Sequence, residues 1–249
     1  MCLLLASVLS GQTGKPEDIP VLIAQITNQA MRFEGHLPDF ICTRTTTEST
    51  GNGDKWKKQR VIEELAEFPT NNVNARYKLM KIDGHAPTRN QSGFSGHDTS
   101  LVGLSLVPDW IFSAKADARF EWRDRETLNG QAMNVFSWTV HPWFSMSPLG
   151  RKSYIVGFHG LVFASVDEAW PIRLELHDDG PPDYPMHDDT IVVDYSWVEI
   201  SGKRLLLPAR TIMQARFGND RTFVRREAVF SDYRKYSADS RIDFGDAPQ

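Results

Sequence analysis

The chain has 249 residues, a formal net charge of −4 and an isoelectric point near 6.0, which gives no basic footprint for a nucleic acid. Its 41% apolar and 24% charged residues are those of a globular chain with a real core, not of a disordered one. Seven Trp, six Tyr and fourteen Phe weight that core toward strands and apolar pockets.

Met1 to Ser10 is an apolar run that reads as the end of a secretory leader, with Val8 and Ser10 preceding a cleavage before Gly11. It is too short to span a bilayer. Residues 1–14 are therefore taken as residual leader or disordered lead, and 15–249 as a single domain exported to the periplasm or beyond. With the leader removed, Cys42 has no cysteine to pair with.

A helix is expected over 16–34. Pro16-Glu-Asp suits a first turn, and Ile19, Leu22, Ile23, Ile26, Ala30 and Phe33 recur at spacings of three and four. Gly35 and Pro38 stop it. Beyond Pro38 the period falls to two. Asp39 to Thr47, Lys55 to Phe68 and Asn72 to Ile82 read as long strands, separated by Gly51-Asn-Gly-Asp54 and closed by Asp83-Gly84.

The interruption between Gly84 and Ala116 holds a helical lid over 97–113, with Asp98, Thr99 and Ser100 offering cap oxygens and Pro108 dividing it in two. Strands resume at Ala118, turn at Asn129-Gly130, and continue through Phe136 to Val140. Tyr154 to Ser165, apolar on both faces, reads as a covered central strand. Pro171 to His177, Thr190 to Ile200, Lys203 to Phe217 and Arg221 to Asp232 follow, with turns at Ser201-Gly202 and Gly218 to Asp220. About ten long strands joined by tight turns predict a mainly β (α+β) chain, a curved antiparallel sheet or half-barrel.

Catalytic signatures are missing: there is no Gly-x-Ser-x-Gly, phosphate loop, His-Glu-x-x-His or Cys-x-x-Cys. Ser95, His97 and Asp98 are close in sequence, but a triad is defined by geometry. His177-Asp178-Asp179 and His187-Asp188-Asp189 make His177 and His187 candidate metal ligands. Both lie on what reads as one Pro-rich, solvated acidic loop, and no metal or other cofactor is expected. His159, inside the doubly apolar strand, reads as a core or cavity histidine. Arg210, Arg216, Arg221, Arg225 and Arg226 read as a solvated outer face.

Aromatic residues are the better functional lead. Phe120, Trp122, Phe136, Trp138, Tyr195 and Trp197 fall on apolar strand faces. In a curled sheet they either line a concave cavity for an apolar ligand or form the core beneath the helices.

Three stretches carry a resemblance: the first helix running into His36-Leu-Pro-Asp-Phe-Ile-Cys-Thr43; Tyr154-Ile-Val-Gly-Phe-His-Gly-Leu-Val-Phe163 with Pro171-Ile-Arg173; and Phe230 to Ser240. They resemble a family of uncharacterised exported bacterial proteins. Gly160 to Asp167 with Pro171-Ile-Arg173 is distantly similar to the outer-membrane lipoprotein-carrier superfamily. That resemblance implies an antiparallel half-barrel, helices over its concave side and an apolar ligand site between them. The expected role is non-enzymatic binding of a lipid, lipoprotein or other apolar group. The alternative is an envelope protein partner, met through a sheet edge or the Arg-rich strands. Oligomeric state is left open.

Overall fold

The structure, a computed structural model, describes residues 14–36, 38–52, 55–68, 76–88, 106–146, 152–217 and 222–236. The leader, the Ser95–Asp98 cluster, Arg221 and the first part of the expected lid lie outside the described residues.

Helix α1 spans Ile19–His36, three residues later than expected at its start. Asp18 decides the boundary: its Oδ1 accepts from the Val21 N–H at 3.1 Å, and its carbonyl accepts from Leu22. That is an N-cap, and Pro20 then sits in the first turn, where its missing N–H costs nothing. Helix α2 spans Leu106–Phe112. Pro108 stands near its start, and whether a helical piece precedes it concerns residues 97–105, outside the described residues.

Ten strands follow in chain order: β1 Phe40–Asn52, β2 Lys55–Phe68, β3 Arg76–Ile82, β4 Arg119–Leu128, β5 Gln131–Met146, β6 Tyr154–Ser165, β7 Pro171–Asp179, β8 Met186–Ile200, β9 Lys203–Phe217 and β10 Phe223–Lys235. All belong to one unclosed, curved antiparallel sheet, ordered β3-β2-β1-β10-β9-β8-β7-β6-β5-β4. The expected mainly β architecture is therefore observed. Two-residue turns at Asn129-Gly130 and Ser201-Gly202 fix register at two hairpins. Their φ angles are positive at both central positions, 50° and 81°, and 51° and 76°, which matches the right-handed twist of the strands they join.

Because side chains alternate, paired residues share a face. One row on the inner face crosses the whole sheet: Trp122, Phe136, Val162, Leu174, Val193, Thr211, Ala228, Thr46, Ile62, Ile82. The next row runs Phe120, Trp138, Gly160, Leu176, Ile191, Met213, Arg226, Glu48, Arg60. From the β4 edge toward β2 the face thus passes from aromatic through aliphatic to hydroxyl and charge.

The main core lies between the apolar part of this face and the two helices. Ile26 and Ala30 of α1 and Trp110, Ile111 and Phe112 of α2 pack with Phe136, Trp138, Phe158, Leu174 and Ile191. Trp110 stacks on Phe158 with ring centroids 5.3 Å apart, and Phe112 on Phe120 at 5.8 Å. Each large side chain so buried contributes about 1.5–3 kcal/mol. Outer-face apolar residues of β5 and β6, Met133, Val135 and Phe163, form a small separate cluster. Strand β6 has the bounds expected at 154–165 but is not covered on both faces: Ile155 and His159 on its outer face are exposed. A third cluster joins Phe40, Cys42 and Ala66 to Leu207, Ala228 and Phe230.

Gly160 lies where the β6 and β7 backbones pass closely: a Cβ there would collide with the Glu175 carbonyl. Gly160→Ala is expected to destabilise the chain by about 3 kcal/mol, measured by urea unfolding. A change within experimental error would contradict this packing.

Candidate functional site: the inner face of the sheet

All six aromatic residues singled out in the sequence come to one layer. Phe136, Trp138 and Tyr195 are buried core members, and Phe120, Trp122 and Trp197 pack against them. Trp197 meets Trp170 edge to face at 5.1 Å and carries the Arg204 guanidinium over its ring at 4.4 Å. The indole N–H groups of Trp122 and Trp138 are buried without a hydrogen-bond partner. Buried indoles ordinarily find one.

Where the face turns polar, β1, β2 and β10 build a buried ionic strip. Arg44, 3% exposed, donates from Nε to Glu64 Oε2 at 2.9 Å and lies over the Tyr77 ring at 3.9 Å. Glu48 accepts from both Arg60 and Arg226, the latter at 2.8 Å. Burial alone would raise the Glu48 carboxyl, but these two hydrogen bonds outweigh it and hold the group below the usual carboxylate range. Cys42, on the same β1 face, is free and buried, and burial pushes its thiol up to about 12. It is inert as a nucleophile at neutral pH.

The strip escaped the sequence reading, although a signal was present. Arg44, Thr46 and Glu48 continue the alternation set by the buried Phe40 and Cys42. Arg226 likewise shares its parity with Ala228 and Phe230, so the expected solvated Arg face is only partly found. Among the described arginines of that group, Arg210 and Arg225 pair with Glu227, Arg216 with Asp188, and Arg226 with Glu48.

The two His-Asp-Asp runs are not on a loop. They occupy the end of β7 and the start of β8, because strand pairing continues almost to a short connection at 180–185. Alternation then splits each run between the faces. Asp178 and Asp189 are largely buried, with the Asp178 N–H donating to Asp189 Oδ2 at 2.9 Å and the Tyr184 hydroxyl to Asp178 Oδ2 at 2.7 Å. His177 turns the other way and stacks on His159 at 5.0 Å. His159 is no core histidine: its side chain is half exposed and bonded to Asp179 at 2.9 Å, since it alternates with the buried Phe158. His187 stands apart, and no group of three such side chains among the described residues could hold a metal ion.

Burial and the nearby Asp189 charge push the Asp178 carboxyl up to about 7, and burial likewise raises Asp189. The folded chain therefore holds this proton more tightly than the unfolded one. Its stabilising effect is full below pH 3.8 and is lost as pH rises through about 7.

No protein-family model and no curated protein matches the chain. Solved structures similar to it include an outer-membrane lipoprotein-sorting protein domain from Vibrio parahaemolyticus, 12% identical, over 88% of this chain and 94% of that one, TM-score 0.41. A DUF1329 family protein from Desulfovibrio piger is 13% identical over 89% and 95%, TM-score 0.41. The Mycobacterium tuberculosis lipoprotein LppX is 12% identical over 87% and 96%, TM-score 0.30. Among the described residues no helix is long and apolar enough to cross a membrane.

Two outcomes are expected. Glu64→Gln strands Arg44 in the buried strip and lowers stability by about 3 kcal/mol, whereas Arg44→Met with Glu64→Leu costs clearly less; equal costs would contradict a buried pair. Asp178→Asn raises the melting temperature at pH 8 and has little effect at pH 3.5, and a melting curve that gains equally at both pH values would contradict the shifted carboxyl.

Proposed function

We propose that this chain is a non-enzymatic, extracytoplasmic binding protein whose ligand is a lipid, a lipoprotein acyl chain or another apolar group. The ligand lies between the inner face of the sheet and helices α1 and α2, against Phe120, Trp122, Phe136, Trp138, Tyr195 and Trp197. One observation carries the reading: a continuous aromatic and aliphatic surface covered by helices that take no part in the sheet's hydrogen bonding. Packing and a bond from Gln29 Nε2 to the Glu168 carbonyl join α1 to that surface. Helices held in this way can shift by a small shear without opening a β ladder. The buried, unbonded indole N–H groups of Trp122 and Trp138 give a ligand oxygen something to bind.

The leader-like composition of Met1 to Ser10 supports export. The other reading, an envelope protein docking on the Arg-rich strands, has less behind it. The described arginines there already face carboxylates of their own chain, and a partner would have to compete with them.

Native mass spectrometry of protein from its own envelope is expected to show a co-purifying apolar molecule. Trp197→Ala is expected to weaken displacement of a fluorescent lipid probe about tenfold, measured at a temperature where the variant's melting curve shows it folded. A chain that arrives empty and binds no such probe would overturn the proposal.

A further inference from the structure

On the polar side of the inner face, Arg44, Thr46, Thr211 and Arg226 line a cavity of about 20 Å³, closed on its apolar side by Met213 and Phe230. It lies in line with the aromatic layer, since Thr46 and Thr211 belong to the same cross-sheet row as Phe136 and Trp122. Two guanidinium groups are donor-only, and two hydroxyls can donate. Glu48 and Glu64 engage the arginines from elsewhere in the strip, and among the described lining residues none is acidic.

Thr46 is the second observation. It is 0% exposed, lines the cavity, and its hydroxyl has no hydrogen-bond partner. A buried hydroxyl left unbonded is costly, so a guest supplying an acceptor is favoured there. The volume sets the size of that guest: about one oxygen atom or water molecule fits, and a complete phosphate does not.

The geometry points to a head-group seat: the cavity holds an acceptor oxygen, the tip of a carboxylate, while the attached apolar chain runs along the inner-face rows toward Trp138 and Trp122. The ligand is then a long-chain amphiphile with an acidic head, an inference that rests on the apolar-ligand reading above. The same donors would also take a free carboxylate, so the two sources need separate arms in the test.

Oleate, methyl oleate and formate serve as probes on the full chain, with Thr46→Val/Thr211→Val as the variant. Oleate is expected to bind about tenfold more tightly than methyl oleate, the scale of a few charge-assisted hydrogen bonds. The double variant weakens oleate binding, while Thr46→Ser, which keeps the hydroxyl, preserves it; oleate binding unchanged by the double variant overturns the seat. Equal binding of oleate and methyl oleate by the unaltered chain overturns the seat and leaves the apolar-ligand reading intact. Perturbation of the Thr46 and Thr211 amide resonances by formate, with neither long-chain probe bound, means a free-anion site and overturns the head-group assignment. If no probe binds, both readings fall.

Discussion

The chain enters its sheet in the middle. β1 pairs with β2 on one side and with β10 on the other, so β3 ends one edge and β4 the opposite edge. β3 and β4 are consecutive strands in the chain, yet they stand at opposite edges of the sheet. Nine strand spacings of about 4.8 Å amount to roughly 43 Å along the sheet, a span that a hairpin turn cannot bridge. Between β3 and β4 in the chain stands α2, which packs on the apolar rows, and α1, which precedes β1, packs beside it. An open sheet must cover its apolar face with something. Here one topological choice supplies the cover, and it is a cover made of helices instead of a second sheet.

That cover is uneven in chemistry. Toward β4 the helices meet rings and branched aliphatic chains, where burial is favourable in proportion to area. Toward β2 the same rows carry Thr46, Glu48, Arg60 and Arg226, with Arg44 and Glu64 alongside. Buried ion pairs of this kind rarely add net stability over well-packed apolar residues, so the strip is not explained by folding energy alone. It divides the inner face into an apolar half and a donor-rich half, and that division gives any bound molecule a direction. The Asp178–Asp189 pair places a further polar limit at the connected ends of β7 and β8, beneath Tyr184.

Much of this was legible in the residues. Strand limits at Lys55–Phe68, Tyr154–Ser165 and Lys203–Phe217 emerged from alternation bounded by turn residues, and the paired positive φ angles of Asn129-Gly130 and Ser201-Gly202 are what those dipeptides favour. The six aromatic positions pack together in one cluster, as rings of like strand parity tend to do. Misreadings had local causes. The His-Asp-Asp runs read as loop because polar, Pro-flanked sequence resembles a connection, yet strand pairing with β6 and β9 carries them. His159 reads as core because its neighbours are apolar, and one step of alternation places it outside. Arg44 and Glu64 are far apart in sequence, and only the β1–β2 register brings them together. Which strand lies beside β1 was not legible at all, since the β1–β10 pairing joins opposite ends of the chain.

In the proposed function a ligand lies on the inner face, beneath α1 and α2. A crystal structure with a long-chain acid brominated near the middle of its chain tests it most directly, because anomalous scattering locates the bromine without reference to the rest of the density. The bromine is expected between the helices and β5–β8, within contact of Trp138 or Trp197, with the carboxylate toward β1. Bromine on the outer face, with both helices still seated on the sheet, would contradict it.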